Sequence, residues 1–395
     1  MKKTINRAFL LLLVLAMAVS LAGCAGKRLS SSMASINREY GELQNEALLL
    51  NILRRSHSLP AHFTSLASIR GNSRMNAGAN LSVPFGHGAP ASFDLSPHLS
   101  MSQGPSFEVA MQDNQEFYRG YVAPIGPKTI NYYLQQDMPE ALLLSLFIDQ
   151  IVIRQPGKET EVINTPSQPS EFEAFQRELQ WLLGQGMTME QVSVVEHYGQ
   201  PVRLDRAPSL DQVLAVHREG MTVKETQPQH YQLSKTSDAG RFCFEHPTAP
   251  LLKLAHCTGA EKQFDITDPV FFGSTGGASI VFTPPGELGS IKIYTRSIAE
   301  VMDYLGGLVR LQHQSQAPLT IQTPQGPQPI ITVEPLSPME PALVTTQFDG
   351  TLYGIPEDQS AGLSGTVLTI LSQLLAQAQS VKDLPVSDTI TIIGE

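Results

Sequence analysis

The spacing of hydrophobic positions changes along the chain between a helical period and a period of two. Apolar residues recur three and four positions apart over 40–53, which predicts a helix that ends before Pro60. Over 63–111 apolar and polar residues alternate, and the polar positions are rich in Ser, Asn and Gly. Alternation of this kind predicts amphipathic strands, here joined by turns at 86–88 and 103–105.

The rest of the pattern predicts helices and strands in a mixed order. Two candidate helices begin with a capping box, formed by Ser170 with Glu173 and by Ser297 with Glu300. The most apolar later run, 141–153, is 13 residues long, so it predicts a buried helix leading into a strand rather than a membrane span. Further helices are predicted at 128–136, 139–147, 170–184, 209–217, 298–310 and 363–374, and strands at 290–295, 319–322, 330–334, 342–353 and 389–393.

Because hairpins and helices are segregated rather than strictly alternating, the predicted fold class is α+β. A stretch containing Pro, Gly and Thr at 156–169 predicts a linker between two regions. The predicted organisation is an N-terminal α+β domain at 36–155, the linker, and a C-terminal α+β region at 170–395. The C-terminal region has a strand-helix unit, a C-terminal helix and a possible break into subdomains near residue 285.

The first 24 residues carry the pattern of a bacterial export signal. Three basic residues and no acid lie within 1–7, and 8–21 is apolar except for Ser20. The run ends in Leu21-Ala22-Gly23-Cys24, which resembles the lipobox of bacterial lipoproteins, where small residues precede the cysteine that receives the lipid. The resemblance implies removal of 1–23, acylation of Cys24 and a short tether at 24–35. The alternatives are an uncleaved anchor helix and a plain signal with a chance cysteine.

Acylation predicts a stable membrane anchor, because each buried methylene contributes about 0.8 kcal/mol and two or three acyl chains exchange slowly. Ala25 follows the cysteine in place of the aspartate that signals inner-membrane retention in enterobacterial lipoproteins. The resemblance therefore implies the outer membrane of a two-membrane cell. The body is expected in the periplasm, with exposure at the cell surface as the alternative, and no cofactor is predicted apart from the covalent lipid on Cys24.

Charge limits the partners that the chain can have. The whole chain has 27 basic and 37 acidic residues and a net charge of -10. Removal of 1–23 takes away Lys2, Lys3 and Arg7, which leaves 24 basic residues and a net charge of -13. Binding to nucleic acid or to anionic lipid headgroups is disfavoured by this charge. The predicted partners are the membrane, through the anchor, and other envelope proteins or further copies of the chain.

Two cysteines remain after Cys24. Cys243 and Cys257 would lie in an oxidising export compartment, which predicts a disulfide worth about 3 kcal/mol by loop entropy. The alternative is a zinc site completed by His246 and His256, but adjacent ligands at 256 and 257 need a strained turn to reach one metal. The sequence favours the disulfide and predicts no metal site.

No catalytic set stands out in the sequence. There is no Gly-x-Ser-x-Gly elbow, and 362–365 is better interpreted as the start of the last helix. The ten histidines are scattered, without a His-x-x-x-His pair. A weak candidate for anion binding is the loop that precedes an apolar strand at 280–282, although it lacks a P-loop lysine and also suits a tight turn with positive φ. Its residues are Gly273, Ser274, Thr275, Gly276 and Gly277.

Two stretches carry a resemblance beyond the lipobox. The run 45–54 with 63–66, and the run 295–298 with Tyr304 and Leu305, are similar to stretches of a group of uncharacterised bacterial lipoproteins. The likeness covers about a tenth of the mature chain, and it implies the cellular address but no activity.

The sequence thus predicts a membrane-anchored, non-enzymatic structural or interaction component of a cell-envelope assembly. An envelope hydrolase with a site built from distant residues and a periplasmic ligand-binding lipoprotein are the alternatives. A further alternative starts from the strands over 74–111, because hairpins donated by several copies can form an oligomeric export pore. A sheet packed on the first helix is the simpler interpretation of those strands, and Pro84, Pro90 and Pro97 favour it.

Overall fold

A computed structural model describes residues 37–82, 94–111, 115–259, 262–268, 271–273, 279–315, 317–378 and 390–392. For the strands within 64–111 and at 390–392 the description covers the backbone. The export signal, Cys24 and the tether lie outside these residues, as do the predicted turn at 86–88 and most of the candidate anion loop. The predictions made for those segments therefore stay predictions.

The described chain forms two compact units. Unit 1 comprises the described residues of Met1–Ala61 and Tyr121–Ala376, and unit 2 those of His62–Gly120 and Gln377–Glu395. The first helix thus belongs to unit 1 and the alternating segment after it to unit 2. The segment predicted as a linker, 156–169, does not divide the units, because it contributes strand β4 (Lys158–Ile163) to a sheet of unit 1.

The central sheet of unit 1 has the order β4-β3-β10-β9 and is antiparallel throughout. Strand β3 (Ile148–Gln155) follows directly on helix α4 (Glu140–Phe147), so the apolar run at 141–153 is a buried helix that turns into a strand, as its length predicts. Strand β10 (Ser290–Thr295) pairs with β3 on one side and with β9 (Ser279–Phe282) on the other. These pairs join residues that lie on both sides of the predicted domain boundaries.

Helix α8 (Ile298–Ser315) follows β10 and buries one face, including Val301, Leu305 and Val309. Its capping box forms as predicted: Ser297 N–H donates to Glu300 Oε2 at 2.7 Å, and Glu300 N–H donates to Ser297 Oγ at 3.2 Å. Helix α1 (37–56) packs against α8 so closely that a Cβ on Gly306 would lie 2.7 Å from the Arg55 carbonyl carbon.

A second sheet of unit 1 has the order β6-β7-β5-β8. Its strands are β5 (Met187–Arg203), β6 (Thr222–Gln227), β7 (His230–Phe244) and β8 (Gln263–Asp265), and β8 alone runs parallel to its neighbour β5. The inner half of β5 and the end of β7 are buried, whereas their outer halves are exposed. Cys243 at the end of β7 is bonded to Cys257, as predicted.

Smaller elements complete the described chain. Helix α5 begins at Pro169 with Gln168 as its N-cap, so the predicted cap at Ser170 is wrong; proline already has the helical φ and needs no N–H partner at that position. Instead a capping box forms at Ser209 and Gln212. The remaining elements are α2 (Gln115–Val122), α3 (Pro127–Leu134), α5 (Pro169–Gly184), α6 (Leu210–Arg218), α7 (Pro250–Lys253), β11 (Thr320–Thr323), β12 (Gly326–Pro329), β13 (Glu334–Pro335), β14 (Ala342–Phe348), β15 (Thr351–Pro356) and α9 (Ser364–Ala378).

Unit 2 is dominated by one long hairpin. Strands β1 (Thr64–Ser82) and β2 (Asp94–Met111) pair in antiparallel register over almost their whole length. The predicted turn at 103–105 is wrong, because these residues pair with 71–73 in the middle of the ladder. Strand β16 (Ile390–Ile392), predicted at 389–393, pairs with the outer edge of β2 at 107–109.

The fold is α+β, as the sequence predicts. Among the described helices, none is both long enough and apolar enough to cross a membrane.

Candidate functional site

A polar cleft in unit 1 is lined by buried and charged side chains. It has a volume of about 570 Å³ and lies between the end of α1, the β4–α5 connection and one side of α8 from Glu300 to Gln314. Residues from these three distant parts of the chain line it, among them Arg55, Asn164, Arg296, Tyr304 and Arg310.

Arg296 forms the floor of the cleft and is 2% exposed. Its Nη1 donates to the carbonyl oxygens of Ser145, Leu146 and Ile148 at 3.0, 3.2 and 2.8 Å, and its Nη2 donates to the Asn164 carbonyl oxygen. The α4–β3 junction leaves the first three of these carbonyls without helical partners, so the guanidinium, together with Asn164 Nδ2, satisfies a helix end inside the protein. Burial lowers the pKa of Arg296, while the carboxylates of Asp149 and Glu300 act in the opposite direction, and a guanidinium stays charged in proteins.

Tyr304, on α8, packs against the guanidinium of Arg296. The guanidinium carbon is 4.0 Å from the centre of the tyrosine ring, a cation–π contact. The Tyr304 hydroxyl and Asn164 Oδ1 are both buried and make no hydrogen bond of ordinary geometry among the described residues, although the Asn164 side chain is near enough to lower the pKa of Tyr304. Burial raises the pKa of Tyr304, so its hydroxyl stays protonated and can donate one hydrogen bond into the cleft.

The rim of the cleft is already paired. Arg55 forms a salt bridge with Asp303, and Arg310 Nε donates to the Ser56 carbonyl oxygen at 2.5 Å. Asp149 Oδ1 lies 3.3 Å from Arg296 Nη2. The charged groups of the rim therefore hold α1 and α8 together, and the lining residues include no serine, cysteine or lysine activated by a neighbouring base.

A second buried charge cluster surrounds the disulfide. Arg241 is 1% exposed, and its Nε donates to Glu190 Oε1 at 2.6 Å while Nη2 donates to the His256 carbonyl oxygen at 2.6 Å. Glu190 also accepts from the backbone N–H groups of Thr258 and Gly259. Burial by itself would raise the pKa of Glu190, but these hydrogen bonds outweigh it and the net shift is downward. The cluster fastens the loop that follows Cys257.

The disulfide also decides between the two interpretations of the cysteine pair. Both sulfurs are bonded to each other, so the alternative zinc site lacks its two thiolate ligands. Across the part of the chain that the structure describes, no three His, Cys, Asp or Glu side chains are grouped as a metal site would need.

Of the candidate anion loop, Gly273 alone is described, since 274–278 lie outside the described residues. Gly273 forms a β-bridge with Val281 of β9, whose N–H donates to the Gly273 carbonyl oxygen at 3.1 Å. Gly273 does not have positive φ, so its glycine is explained by packing: a Cβ there would lie 2.3 Å from the Phe271 ring.

The sequence identified Arg296 only as part of a resemblance and did not identify Arg241. Arg241 lies within a strand and Arg296 directly after one, and a single arginine in such a place is typical of a solvated side chain. The available signal was weak: apolar residues flank Arg241, and alternating isoleucines precede Arg296, where a charge needs a buried partner.

The comparisons with known proteins add no family to this description. Neither a protein-family model, nor a curated protein sequence, nor a solved structure matches the chain significantly.

Proposed function

We propose that this chain is a lipid-anchored, non-enzymatic structural component of a cell-envelope assembly, built by association of several copies through the β1–β2 hairpin. The anchor is the predicted acylation of Cys24, and the predicted address is the outer membrane. The observation that carries the proposal is the register of the hairpin.

The register separates the two alternating series of positions. Pairs such as Met75 with Met101, Ala77 with Leu99 and Leu81 with Leu95 place apolar positions opposite each other, and Ser73 with Gln103 is a polar pair within this series. The intervening pairs place polar or glycine positions opposite each other: Arg70 with Ser106, Asn72 with Gly104, Arg74 with Ser102, Asn76 with Ser100, Gly78 with His98, Asn80 with Ser96 and Ser82 with Asp94. A slip of one residue would mix the two series, so the sequence specifies this register.

The hairpin is unusually long and leaves most of its outer edges unpaired among the described strands. Its strands have 19 and 18 residues, against about 5–6 in an ordinary strand, and a two-stranded hairpin alone is marginally stable in water. Among the described strands, β1 has no neighbour besides β2, and the outer edge of β2 is paired at 107–109 alone. The open edges offer backbone donors and acceptors to further strands, and identical hairpins have the matching pattern.

The first experiment is the native mass of the full-length lipidated protein, extracted in mild detergent. We expect a defined oligomer of the chain. Two variants probe the hairpin with the same added charge: Ala77→Asp in the apolar series and Asn76→Asp in the polar series. Because a carboxylate at an apolar contact must be desolvated, Ala77→Asp should reduce the mass towards that of the monomer while Asn76→Asp keeps it.

A monomeric wild-type protein at all concentrations would refute the proposal. An oligomer that both variants leave intact would place the contact elsewhere than in the hairpin. The alternatives of a hydrolase and of a periplasmic ligand binder predict a monomer with a pocket or catalytic set, and the charged groups at the rim of the polar cleft in unit 1 are paired with one another or with the backbone.

The length of the hairpin favours a second candidate function, the oligomeric export pore. A strand needs about 9–11 residues to cross a bilayer at a tilt, which both strands exceed. Backbone groups in lipid must all be paired, so hairpins of several copies would have to close on one another. Reconstitution of the purified oligomer into planar bilayers tests this function: we expect discrete conductance, and Asn76→Asp should increase the preference for cations. A silent bilayer would leave the assembly as structural.

A further inference from the structure

The residues 196–238 form an arm of unit 1 that has almost no core of its own. It consists of the outer half of β5, helix α6, strand β6 and the outer half of β7. The structure describes all of these residues, and Ser234 is the one that is buried. Short helices and small sheets are marginal in water without an apolar surface to pack against.

The sheet of the arm has an uncovered apolar side. Tyr198 and Leu233 are directly paired and are 41% and 36% exposed. Val202, which is 58% exposed, is paired with Tyr231, two residues from Leu233. Directly paired residues and residues two apart on a strand share a face, so these side chains lie on the same side of the sheet.

Helix α6 is well formed although none of its nine residues is buried. Its capping box is complete, because Gln212 N–H donates to Ser209 Oγ and Ser209 N–H donates to Gln212 Oε1. Leu210, Val213 and Leu214 recur at the spacing of one helical face and are 73%, 37% and 46% exposed. The helix thus presents an apolar stripe to solvent, while Val216 on another side is half-buried.

The charges of the arm favour a protein partner over anionic lipid or nucleic acid. Five basic and six acidic residues lie within 196–238, so this segment has a net charge of -1 and offers no attraction to anionic lipid or nucleic acid. Helix α6 has Asp211 in its first turn and His217 and Arg218 in its last turn. Two such helices packed antiparallel would place Asp211 of each beside Arg218 of the other, with Glu219 at the C-cap offsetting part of this attraction, and the two helix dipoles would run in opposite directions.

We propose that two copies of this chain pair through their α6 helices, antiparallel about a two-fold axis, with the apolar stripes of Leu210, Val213 and Leu214 in contact. A two-fold axis makes the contact self-complementary, since the same stripe serves both copies. The inference rests on the proposed function, because copies held on one membrane and joined by their hairpins supply the second helix at high local concentration.

Cysteine cross-linking of the full-length lipidated protein tests the geometry. Position 214 is the central residue of α6, so in an antiparallel pair that places Asp211 beside Arg218 of the other copy it lies close to the two-fold axis, and Leu214→Cys should form a disulfide-linked dimer with itself under mild oxidation. Ala215→Cys is the matched control, because residue 215 is also exposed but is turned by about 100° around the helix. We expect several-fold more dimer from Leu214→Cys, and equal yields would overturn the pairing of α6.

A second experiment replaces the apolar side chains of the stripe instead of cross-linking them. Leu210→Ser with Leu214→Ser should shift the native mass to smaller species, and since neither side chain is buried the double variant should keep the circular dichroism spectrum of the wild type. An unchanged mass would overturn the inference while leaving the hairpin proposal standing. If Ala77→Asp leaves the mass intact but the double serine variant reduces it, the hairpin proposal fails and the arm contact is supported.

Discussion

Replacement of Arg296 by methionine tests most directly how unit 1 is held together. The guanidinium donates to four backbone carbonyl oxygens at the α4–β3 junction and before α5, and it is 2% exposed. Methionine fills much of the same volume but donates nothing, so these carbonyls lose a donor where water has little access. The carbonyl oxygens of Ser145 and Ile148 keep Asn164 Nδ2 as a donor, whereas those of Leu146 and Asn164 lose the guanidinium, and each buried acceptor left unpaired costs about 1–3 kcal/mol.

We therefore expect Arg296→Met to lower the free energy of unfolding of unit 1 by about 4 kcal/mol, and Arg296→Lys by about half of that, because an ammonium reaches fewer of the carbonyls. Urea unfolding followed by tryptophan fluorescence is the assay. Trp181 is the single tryptophan of the chain and lies on α5 within unit 1, so the signal reports this unit. Cys24→Ser in all variants keeps the acyl chains from complicating the titration.

The matched control is Arg154→Met. Arg154 lies at the far end of β3 in a salt bridge with Glu159, with side chains 64% and 52% exposed. Exposed pairs contribute about 0–1 kcal/mol, so this variant should unfold close to the wild type. If Arg296→Met also loses less than about 1 kcal/mol, the guanidinium is not what stabilises the junction and the argument from unpaired carbonyls is refuted.

Three further results are expected from the same assay. Cys243→Ser with Cys257→Ser opens a loop whose ends are 14 residues apart and should cost about 3 kcal/mol; a change below about 1 kcal/mol would contradict the loop-entropy argument. Gly306→Val should destabilise by more than about 3 kcal/mol, since its Cβ would overlap the backbone of Arg55, and Gly306→Ala should lie between it and the wild type. The pKa of Glu190 is lowered in the folded state, so its ionised carboxylate stabilises the fold at pH values above the ordinary pKa of 4.5, and this stabilisation is lost as the pH falls through the folded pKa. The stability of Glu190→Gln should therefore depend less on acid pH than that of the wild type, which urea unfolding at several pH values measures.

Local patterns in the sequence predict many of the elements correctly, because they depend on neighbouring residues. The helical spacing over 40–53 predicts α1, the capping box at Ser297 predicts the start of α8, and the apolar run at 141–153 predicts the α4–β3 pair. Counting the cysteines predicts the disulfide, since two thiols in an oxidising compartment have one pairing. For the hairpin, alternation predicts strands but not their length, because Gln103-Gly104-Pro105 has the composition of a turn and lies within a strand.

The division into units and the candidate site depend on contacts between distant residues, which no local pattern records. β3 pairs with β10 across about 140 positions, so a Pro- and Gly-containing stretch between them could resemble a linker while contributing β4 to the same sheet. Arg296 acquires its role only where α4 ends beside it, and the exposure of the α6 stripe is visible only once the rest of unit 1 fails to cover it. The sequence by itself thus determined many of the elements and the disulfide, and the anchor stays its prediction. Tertiary structure decided the partners of each strand and charge, because pairing energy depends on which surfaces the folded chain brings together.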